Sequence, residues 1–257
     1  MNILAIGDLV GEIGLEKLKK EYQKIKEENN IDFVIVNAEN VAGGMGISKT
    51  AFYDLVDMGV NTITMGNHTW AKRDIFNFLD HDKLIIPANY SEKIPGKGYF
   101  IYNVKGKNIC VIEVMGRTDM QVLTENPFNK IEKILNKVRD KADIIIVEIH
   151  AEATAEKIAM GYFLDGKVTA VYGTHTHVQT ADEKILDEGT AYITDIGMTG
   201  PIKSVIGMDI AASLKRFNTT LPERYKMAEG ECMINGIILE INDETNKVMS
   251  IKRINVR

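Results

Sequence analysis

The sequence is poor in the features that mark several classes of protein. Its 257 residues include two cysteines, Cys110 and Cys232, which lie far apart with no second thiol near either. Neither a disulfide framework nor a thiolate metal site is therefore expected, and a reducing cytoplasm fits this cysteine usage. No run approaches the ~18 apolar residues of a membrane span, and the first residues do not resemble a signal peptide. We expect a cytoplasmic protein with no membrane partner.

The chain also lacks an excess of positive charge. It carries 31 Lys and Arg against 36 Asp and Glu, which gives a net charge of −5. Proteins that bind DNA duplexes hold the phosphate backbone mainly with clustered Lys and Arg, so a duplex partner is not expected. Any phosphate handled by this protein needs local positive charge, which a metal could supply. The composition leaves homo-oligomerisation open.

Short apolar runs alternate with helical patterns along most of the chain. Strands are predicted at 3–6, 33–36, 62–65, 144–149 and 168–172, and helices at 15–28, 49–58, 71–79, 128–138 and 153–163. This alternation indicates parallel sheets covered by helices. Two antiparallel pairs are predicted, 99–104 with 108–114 and 233–241 with 247–254. We predict a single domain over 1–257, an α/β protein built as a four-layer α/β/β/α sandwich of two mixed sheets.

Histidine is scarce, and four of the five histidines follow predicted strands, whereas His81 lies in a charged loop and is given no role. Several acidic and amide residues follow strands as well. A single histidine after a strand usually faces solvent or caps the chain, but this explanation is weak for all four together. Because ligands bind where the carboxyl ends of parallel strands gather, we expect these side chains to meet. The set is Asp8, Glu39, Asn40, Asn67, His68, His150, His175 and His177.

A mixture of imidazole, carboxylate and amide groups favours particular cations. Iron, manganese and zinc accept such ligands better than magnesium or calcium. His175 and His177 are two residues apart, so in an extended segment both imidazoles would point to the same side. Seven ligands are too many for one ion, whereas two ions about 3.5–4 Å apart and bridged by a carboxylate would use them. Glu39 is the best candidate for that bridge, because its carboxylate follows a central strand.

Short motifs around these residues resemble those of the calcineurin-like metallophosphoesterases. They are Gly7-Asp8, Asn37-Ala38-Glu39-Asn40, Gly66-Asn67-His68, His150 in Glu148-Ile149-His150-Ala151-Glu152-Ala153-Thr154, and Gly173-Thr174-His175-Thr176-His177. The resemblance is closer to the YmdB-like bacterial branch, described as 2′,3′-cyclic nucleotide phosphodiesterases, and extends from Met1 to the C-terminal strands. It implies the metallophosphoesterase fold and a small cyclic nucleotide or phosphodiester substrate.

The resemblance also implies how the metals are held. Val10 stands where the superfamily usually has a histidine, and Glu39 replaces an aspartate, so the amide oxygen of Asn40 is the natural substitute ligand. The closer branch implies two iron or manganese ions, with zinc less favoured. The first metal would be held by Asp8, Glu39, Asn40 and His177, and the second by Glu39, Asn67, His150 and His175.

The mechanism implied by the resemblance begins with a metal-bridging hydroxide that attacks the phosphodiester phosphorus. His68 is next to a ligand but is not one in the family pattern, which leaves it to protonate the leaving alkoxide as general acid. Arg117 follows a strand and could bind a phosphate in two-point fashion, although a solvated loop arginine explains it equally well.

Other functions stay open on the same residues. A phosphomonoesterase or 5′-nucleotidase could use the same metal pair, and a nucleotide-sensing regulatory protein with little turnover would share every ligand. A Rossmann-type dinucleotide binder is disfavoured, because the segment from Gly7 to Gly11 lacks the G-x-G-x-x-G spacing.

Overall fold

The computed structural model describes residues 1–224 and 226–257, and these ranges form thirteen strands, five α-helices and one 3-10 helix. The helices are α1 (Gly11–Glu28), α2 (Lys49–Asp57), α3 (Pro127–Val138), α4 (Thr154–Leu164) and α5 (Ile210–Thr219), with the 3-10 helix at Arg73–Asn77. The strands are β1 (Asn2–Ile6), β2 (Asp8–Leu9), β3 (Ile31–Asn37), β4 (Thr62–Thr64), β5 (Tyr99–Val104), β6 (Lys107–Met115), β7 (Ile144–His150), β8 (Ala170–Thr174), β9 (Lys184–Ile185), β10 (Ala191–Ile193), β11 (Met198–Pro201), β12 (Cys232–Ile241) and β13 (Val248–Val256). Within the described ranges, no helix has both the length and the apolar character needed to cross a membrane.

The first sheet has the strand order β2-β11-β12-β1-β3-β4, with β13 paired to β12. β1, β3 and β4 run parallel, whereas β12 is antiparallel to both β1 and β13. β1 and β3 are nearly continuous apolar runs because both faces of this sheet are covered. α1 and α2 cover the outer face, and Leu15, Leu18, Tyr22 and Ile25 of α1 are buried there at helical spacing.

The second sheet has the order β5-β6-β7-β8-β10-β9 and is parallel from β6 to β10. α3 and α4 pack on its outer face through residues such as Ile131 and Met160. The inner faces of the two sheets meet in a separate core, where Phe33 of the first sheet lies with Ile146 and Tyr172 of the second. The layers therefore run helix, sheet, sheet, helix, and the predicted four-layer architecture is confirmed.

Two local differences from the sequence-based expectation have physical causes. The helix predicted at 71–79 is wrong, because this segment forms a 3-10 helix over Arg73–Asn77. The buried residues of the segment are Ile75, Phe78 and Leu79, which have the spacing of an α-helix and explain why the pattern predicted one. Helix α5 was not predicted, and every one of its residues is at least partly exposed. Its apolar residues Ile210, Leu214 and Phe217 recur at helical spacing but lie exposed instead of packing on a core.

Candidate metal centre

Polar side chains from both sheets meet where the parallel strands end. The first sheet supplies the residues that follow β1, β3 and β4, and the second sheet supplies those at the ends of β7 and β8. Parallel strands place their carboxyl ends at one edge, which explains why residues distant in sequence come together. The structure brings all eight predicted residues to this edge: Asp8, Glu39, Asn40, Asn67, His68, His150, His175 and His177.

One group of donors surrounds His150, which is fully buried. Its Nε2 lies 2.8 Å from Oδ1 of Asn67 and 3.1 Å from Oε1 of Glu39. Nδ1 of His175 is also 3.1 Å from this nitrogen. One proton on Nε2 can be directed at only one of the two oxygens, whereas a cation among these atoms would satisfy all of them. Burial and the charge of His150 lower the pKa of His175 to about 3, which keeps this ring neutral and able to bind a metal.

A second group surrounds His177. Its Nε2 lies 3.1 Å from Nδ2 of Asn40 and 3.9 Å from Oδ1 of Asp8. Asp8 is fully buried, and its Oδ1 has no hydrogen-bond partner among the described residues. Burial raises the pKa of Asp8, against the opposing influence of His177 and His150. A buried carboxylate oxygen without a partner is costly, and a cation beside it would remove that cost.

Glu39 belongs to both groups. Its Oε1 contacts His150 and also lies 3.2 Å from Nδ2 of Asn40, and its Oε2 accepts the backbone N–H of His68 at 2.8 Å. Although burial opposes charge on Glu39, His150 and His68 hold its pKa well below the usual value. In return, the carboxylates of Glu39 and Asp8 overcome the effect of burial and raise the pKa of His150 to about 9. The two groups therefore share one ionised carboxylate.

His68 lies at the open side of the cluster, with its side chain 28% exposed. Its Nδ1 is 2.7 Å from Oδ1 of Asn40 and 3.4 Å from Oε1 of Glu39, which leaves Nε2 as the nitrogen available to a ligand. In this orientation Asn40 presents Nδ2, rather than the predicted oxygen, to Glu39 and His177. A half-turn of the amide group would exchange the two atoms.

The segment that carries His175 and His177 is not extended, so the reason given above for their common direction is wrong. The backbone φ is 98° at His175 and 64° at His177, in the left-handed region that side-chain-bearing residues rarely adopt. The resulting turn sends His175 toward His150 and His177 toward Asn40. Such strained backbone persists only where the surrounding structure fixes it.

A buried ion pair fixes this turn. Oδ2 of Asp195 accepts the backbone N–H of Thr176 at 3.2 Å and its hydroxyl at 2.7 Å, and Thr176 lies between the two histidines. Nζ of Lys157 donates to the same oxygen at 2.7 Å, and the two side chains are 0% and 1% exposed. Sequence reasoning missed both residues, because Lys157 in a predicted helix looks like any solvent-facing lysine.

Two more buried carboxylates lie beneath the cluster. Glu113 of β6 and Glu148 of β7 are cross-strand neighbours, and both are fully buried. Burial raises the pKa of Glu148, and burial together with Glu148 raises that of Glu113 well above its usual value. A carboxylate inside the apolar run of β7 was the signal that could have revealed this layer. The donors to Glu148 are Asn37, Thr64, Tyr172 and Thr174.

The cluster opens into a cavity of about 360 Å³. Its described lining contains two carboxylates, Glu39 and Glu152, and no Lys or Arg. Gly66 lets the chain pass close to the cluster, because a Cβ there would lie 2.4 Å from Oε2 of Glu39 and 2.5 Å from Nε2 of His150. The lining residues are Glu39, Gly43, Met45, His68, Glu152, His175, Thr176, His177, Ile206 and Met208.

The structure places two other residues away from this cavity. Arg117 is exposed, and its backbone N–H donates to the carboxylate of Glu156 at 3.0 Å. Arg117 does not line the cavity as described, so its role as a phosphate contact stays a prediction. The ring of His81 packs edge-on against Phe52, and its Nδ1 accepts the backbone N–H of Lys83.

The donor set fits transition-metal ions. It combines three imidazoles, two carboxylates and two amides, a mixture that suits iron, manganese or zinc. Ligand atoms of Glu39, His150 and His175 all lie within 4.8 Å of one another. Together with the unpartnered oxygen of Asp8, this convergence makes the cluster a candidate cation site.

Comparison with known proteins assigns the family. A family model described as YmdB-like protein matches residues 4–254. This chain belongs to the YmdB-like protein family. The YmdB-like chain is 45% identical over 255 residues to a protein of Bacillus subtilis (strain 168) named 2′,3′-cyclic-nucleotide 2′-phosphodiesterase, and the match covers 99% of the chain and 96% of that relative. The resemblance inferred from the motifs is confirmed.

Solved structures confirm the fold of this YmdB-like protein. It superposes on a structure described as a novel phosphatase from Mycoplasma pneumoniae with a TM-score of 0.95 and 34% identity, covering 100% of this chain and 93% of that one. A 5′-nucleotidase precursor from Thermus thermophilus matches with a TM-score of 0.61 and 10% identity, over 100% of this chain and 54% of that one. At that identity the likeness concerns the fold alone, which is the metallophosphoesterase fold.

The buried ion pair of this YmdB-like protein can be tested by removing one charge. Lys157→Met leaves Asp195 buried without its counterion, which we expect to lower the free energy of unfolding by about 3–5 kcal/mol in urea denaturation. The matched control is Lys24→Met, because Lys24 and Glu28 form a pair 4.0 Å apart that is 67% and 61% exposed. The control is expected to change stability by less than about 0.5 kcal/mol. Equal effects of the two substitutions would contradict the proposed importance of the pair.

Proposed function

We propose that this chain is a metal-dependent phosphodiesterase that hydrolyses 2′,3′-cyclic nucleotides. One observation carries the proposal: seven donor groups converge in two sets that share the carboxylate of Glu39. The relative from Bacillus subtilis, 45% identical to this chain, supports the reaction and the substrate class.

Two ions fit the two sets of donors. Asp8, Glu39, Asn40 and His177 would hold one ion, with the Asn40 amide turned to present its oxygen. The other would be held by Glu39, Asn67, His150 and His175. Iron or manganese suits this mixed nitrogen and oxygen set. When bound, the ions supply positive charge for the phosphate oxygens and lower the pKa of water toward about 7.

The charge of the cavity supports the need for bound cations. A cyclic phosphodiester is an anion, yet the described lining has two carboxylates and no basic side chain. The protein surface of the cavity would therefore repel the substrate without bound cations. His68 and the backbone around Gly43 line the cavity without adding negative charge.

His68 is the residue placed to donate a proton. Its Nδ1 lies 3.4 Å from Oε1 of Glu39, an acceptor that remains when the Asn40 amide is turned, so its Nε2 can face the oxygen that leaves phosphorus. An oxygen derived from water adds to phosphorus, the bond between phosphorus and O2′ breaks, and the proton from Nε2 goes to O2′. The products are a free 2′-hydroxyl and a nucleoside 3′-phosphate, which accounts for every atom of the cyclic ester and one water.

Phosphomonoester hydrolysis is the second candidate. The protein from Mycoplasma pneumoniae, which shares this fold at 34% identity, is described as a phosphatase. The same donors could serve either ester, and the leaving group distinguishes the two reactions.

Substrate preference provides the direct test of the function. We expect kcat/KM for 2′,3′-cyclic AMP to exceed that for 3′,5′-cyclic AMP and for 5′-AMP by about tenfold or more. Chromatography should identify 3′-AMP as the product. A preference for 5′-AMP would instead assign the chain as a phosphomonoesterase, and turnover of none of the three would refute the enzyme proposal.

Removing the shared carboxylate tests the metal assignment. Glu39→Gln deletes the charge common to both sets, so elemental analysis of protein purified without chelator should show metal lost from both positions. Refilling the chelated wild type with iron, manganese or zinc identifies the ion that restores activity. The control Glu92→Gln alters an exposed carboxylate outside the described lining of the cavity and should retain the metal content of the wild type. Full metal content in Glu39→Gln would contradict the shared bridge.

Replacing His68 tests the proton donor. His68→Ala should keep its metal and lose about 10²–10⁴-fold in kcat on 2′,3′-cyclic AMP. The loss should be much smaller on a 4-nitrophenyl phosphodiester, whose leaving group departs without a proton. His81→Ala, in which the altered histidine packs against Phe52 outside the site, serves as the control. Depletion of metal in His68→Ala would make His68 a ligand, and equal losses on both substrates would exclude a proton donor.

A further inference from the structure

A second cavity of about 180 Å³ adjoins the candidate metal centre. Ile206 and Met208 line both cavities, so the two spaces are neighbours on either side of one turn. The carbonyl of Ile206 lies 2.9 Å from Nδ1 of His177, which joins this turn to the metal centre. A ligand that extends out of the first cavity past Ile206 therefore reaches the second.

Helix α5 forms one wall of the second cavity and presents an exposed aromatic ring there. Phe217 lines the cavity and is 75% exposed, so its ring is accessible to a ligand. Ala212 and Ser213 of the same helix are small, and they leave space beside the ring. A planar group could lie against Phe217.

The second cavity is also basic, although the protein is acidic overall. Residues 203–226 include five basic and two acidic side chains, whereas the whole chain has a net charge of −5. Glu223, the acidic residue of the lining, is 2.6 Å from Lys215 and thereby neutralised. Arg224 and Lys226 also line the cavity and have no carboxylate partner among the described residues. The cavity is thus complementary to an anion.

We propose that the second cavity binds the nucleotide that precedes the cyclic phosphate of an RNA fragment. This inference rests on the proposed function and names its substrate class: oligoribonucleotides with a 2′,3′-cyclic phosphate end. The terminal nucleotide occupies the first cavity, the preceding base stacks on Phe217, and Arg224 and Lys226 face the phosphate that links the two nucleotides. Exposed aromatic rings beside cationic side chains are the usual means of holding single-stranded nucleic acid.

The chemistry of the terminal group leads to the same substrate. A 2′,3′-cyclic phosphate forms when the 2′-hydroxyl of an RNA nucleotide attacks its own 3′-phosphodiester and expels the next 5′-oxygen. This transesterification leaves the cyclic ester at the 3′ end of a fragment whose chain continues from the 5′-oxygen. The class of reaction that supplies the substrate is therefore RNA strand cleavage, and its first products are oligonucleotides.

The test compares 2′,3′-cyclic AMP with a diadenylate that ends in a 2′,3′-cyclic phosphate. We expect the wild type to show a kcat/KM about tenfold higher for the diadenylate. Phe217→Ala should lower this ratio about tenfold, since one stacked base is lost. Arg224→Ala with Lys226→Ala should lower the ratio and weaken its dependence on salt concentration. Leu214→Ala is the matched control, because Leu214 is 53% exposed on the same helix but outside the described lining.

Each contrary outcome has a distinct meaning. Turnover of the mononucleotide with no preference for the diadenylate, or a ratio that Phe217→Ala leaves unchanged, would overturn the second site and leave the proposed function intact. Turnover of neither substrate would refute the proposed function and this inference with it. Sedimentation would show whether the wild type is a dimer that Phe217→Ala dissociates. A wild-type dimer that Phe217→Ala dissociates, with an unchanged ratio, would assign the surface around Phe217 to a second copy of the chain and overturn the inference.

Discussion

The burial of an ionised glutamate between two groups of imidazole and amide donors is the constraint on which the rest of the site depends. Glu39 is 1% exposed, and a charge so deeply buried is stable only where compensating groups are held against it. His150 and the backbone of His68 provide part of this compensation. Gly66 is required because any side chain there would collide with Glu39 and His150.

Other buried charged residues position the histidines indirectly, through contacts with the residues beside them. Glu148 binds Thr174, the residue before the strained turn, and Asp195 binds Thr176 within it. Lys157 balances Asp195 from helix α4. Positions that supply no donor to the candidate centre thus determine where His175 and His177 lie, as is common around metal sites.

Sequence patterns predicted the layers and the meeting of the eight residues because both follow from strand order. Alternating apolar runs indicated parallel strands, and residues after such strands share an edge by geometry alone. What the patterns could not reveal depends on contacts between distant segments. Lys157 is buried by its tertiary surroundings and has the sequence context of a surface lysine, and the positive φ values at His175 and His177 are set by Asp195. Helix α5 was missed although Ile210, Leu214 and Phe217 recur at helical spacing, and the 3-10 turn at Arg73–Asn77 was mistaken for a longer helix.

The origin of the donors in both sheets has a mechanical consequence. Asn67 follows a strand of the first sheet, and His150 ends a strand of the second. A cation bound between them would therefore link the two sheets. Binding of the ion would then raise the free energy of unfolding, by about 2.7 kcal/mol when the free ion is at a hundred times its dissociation constant. Loss of such an ion would then weaken the contact between the two sheets.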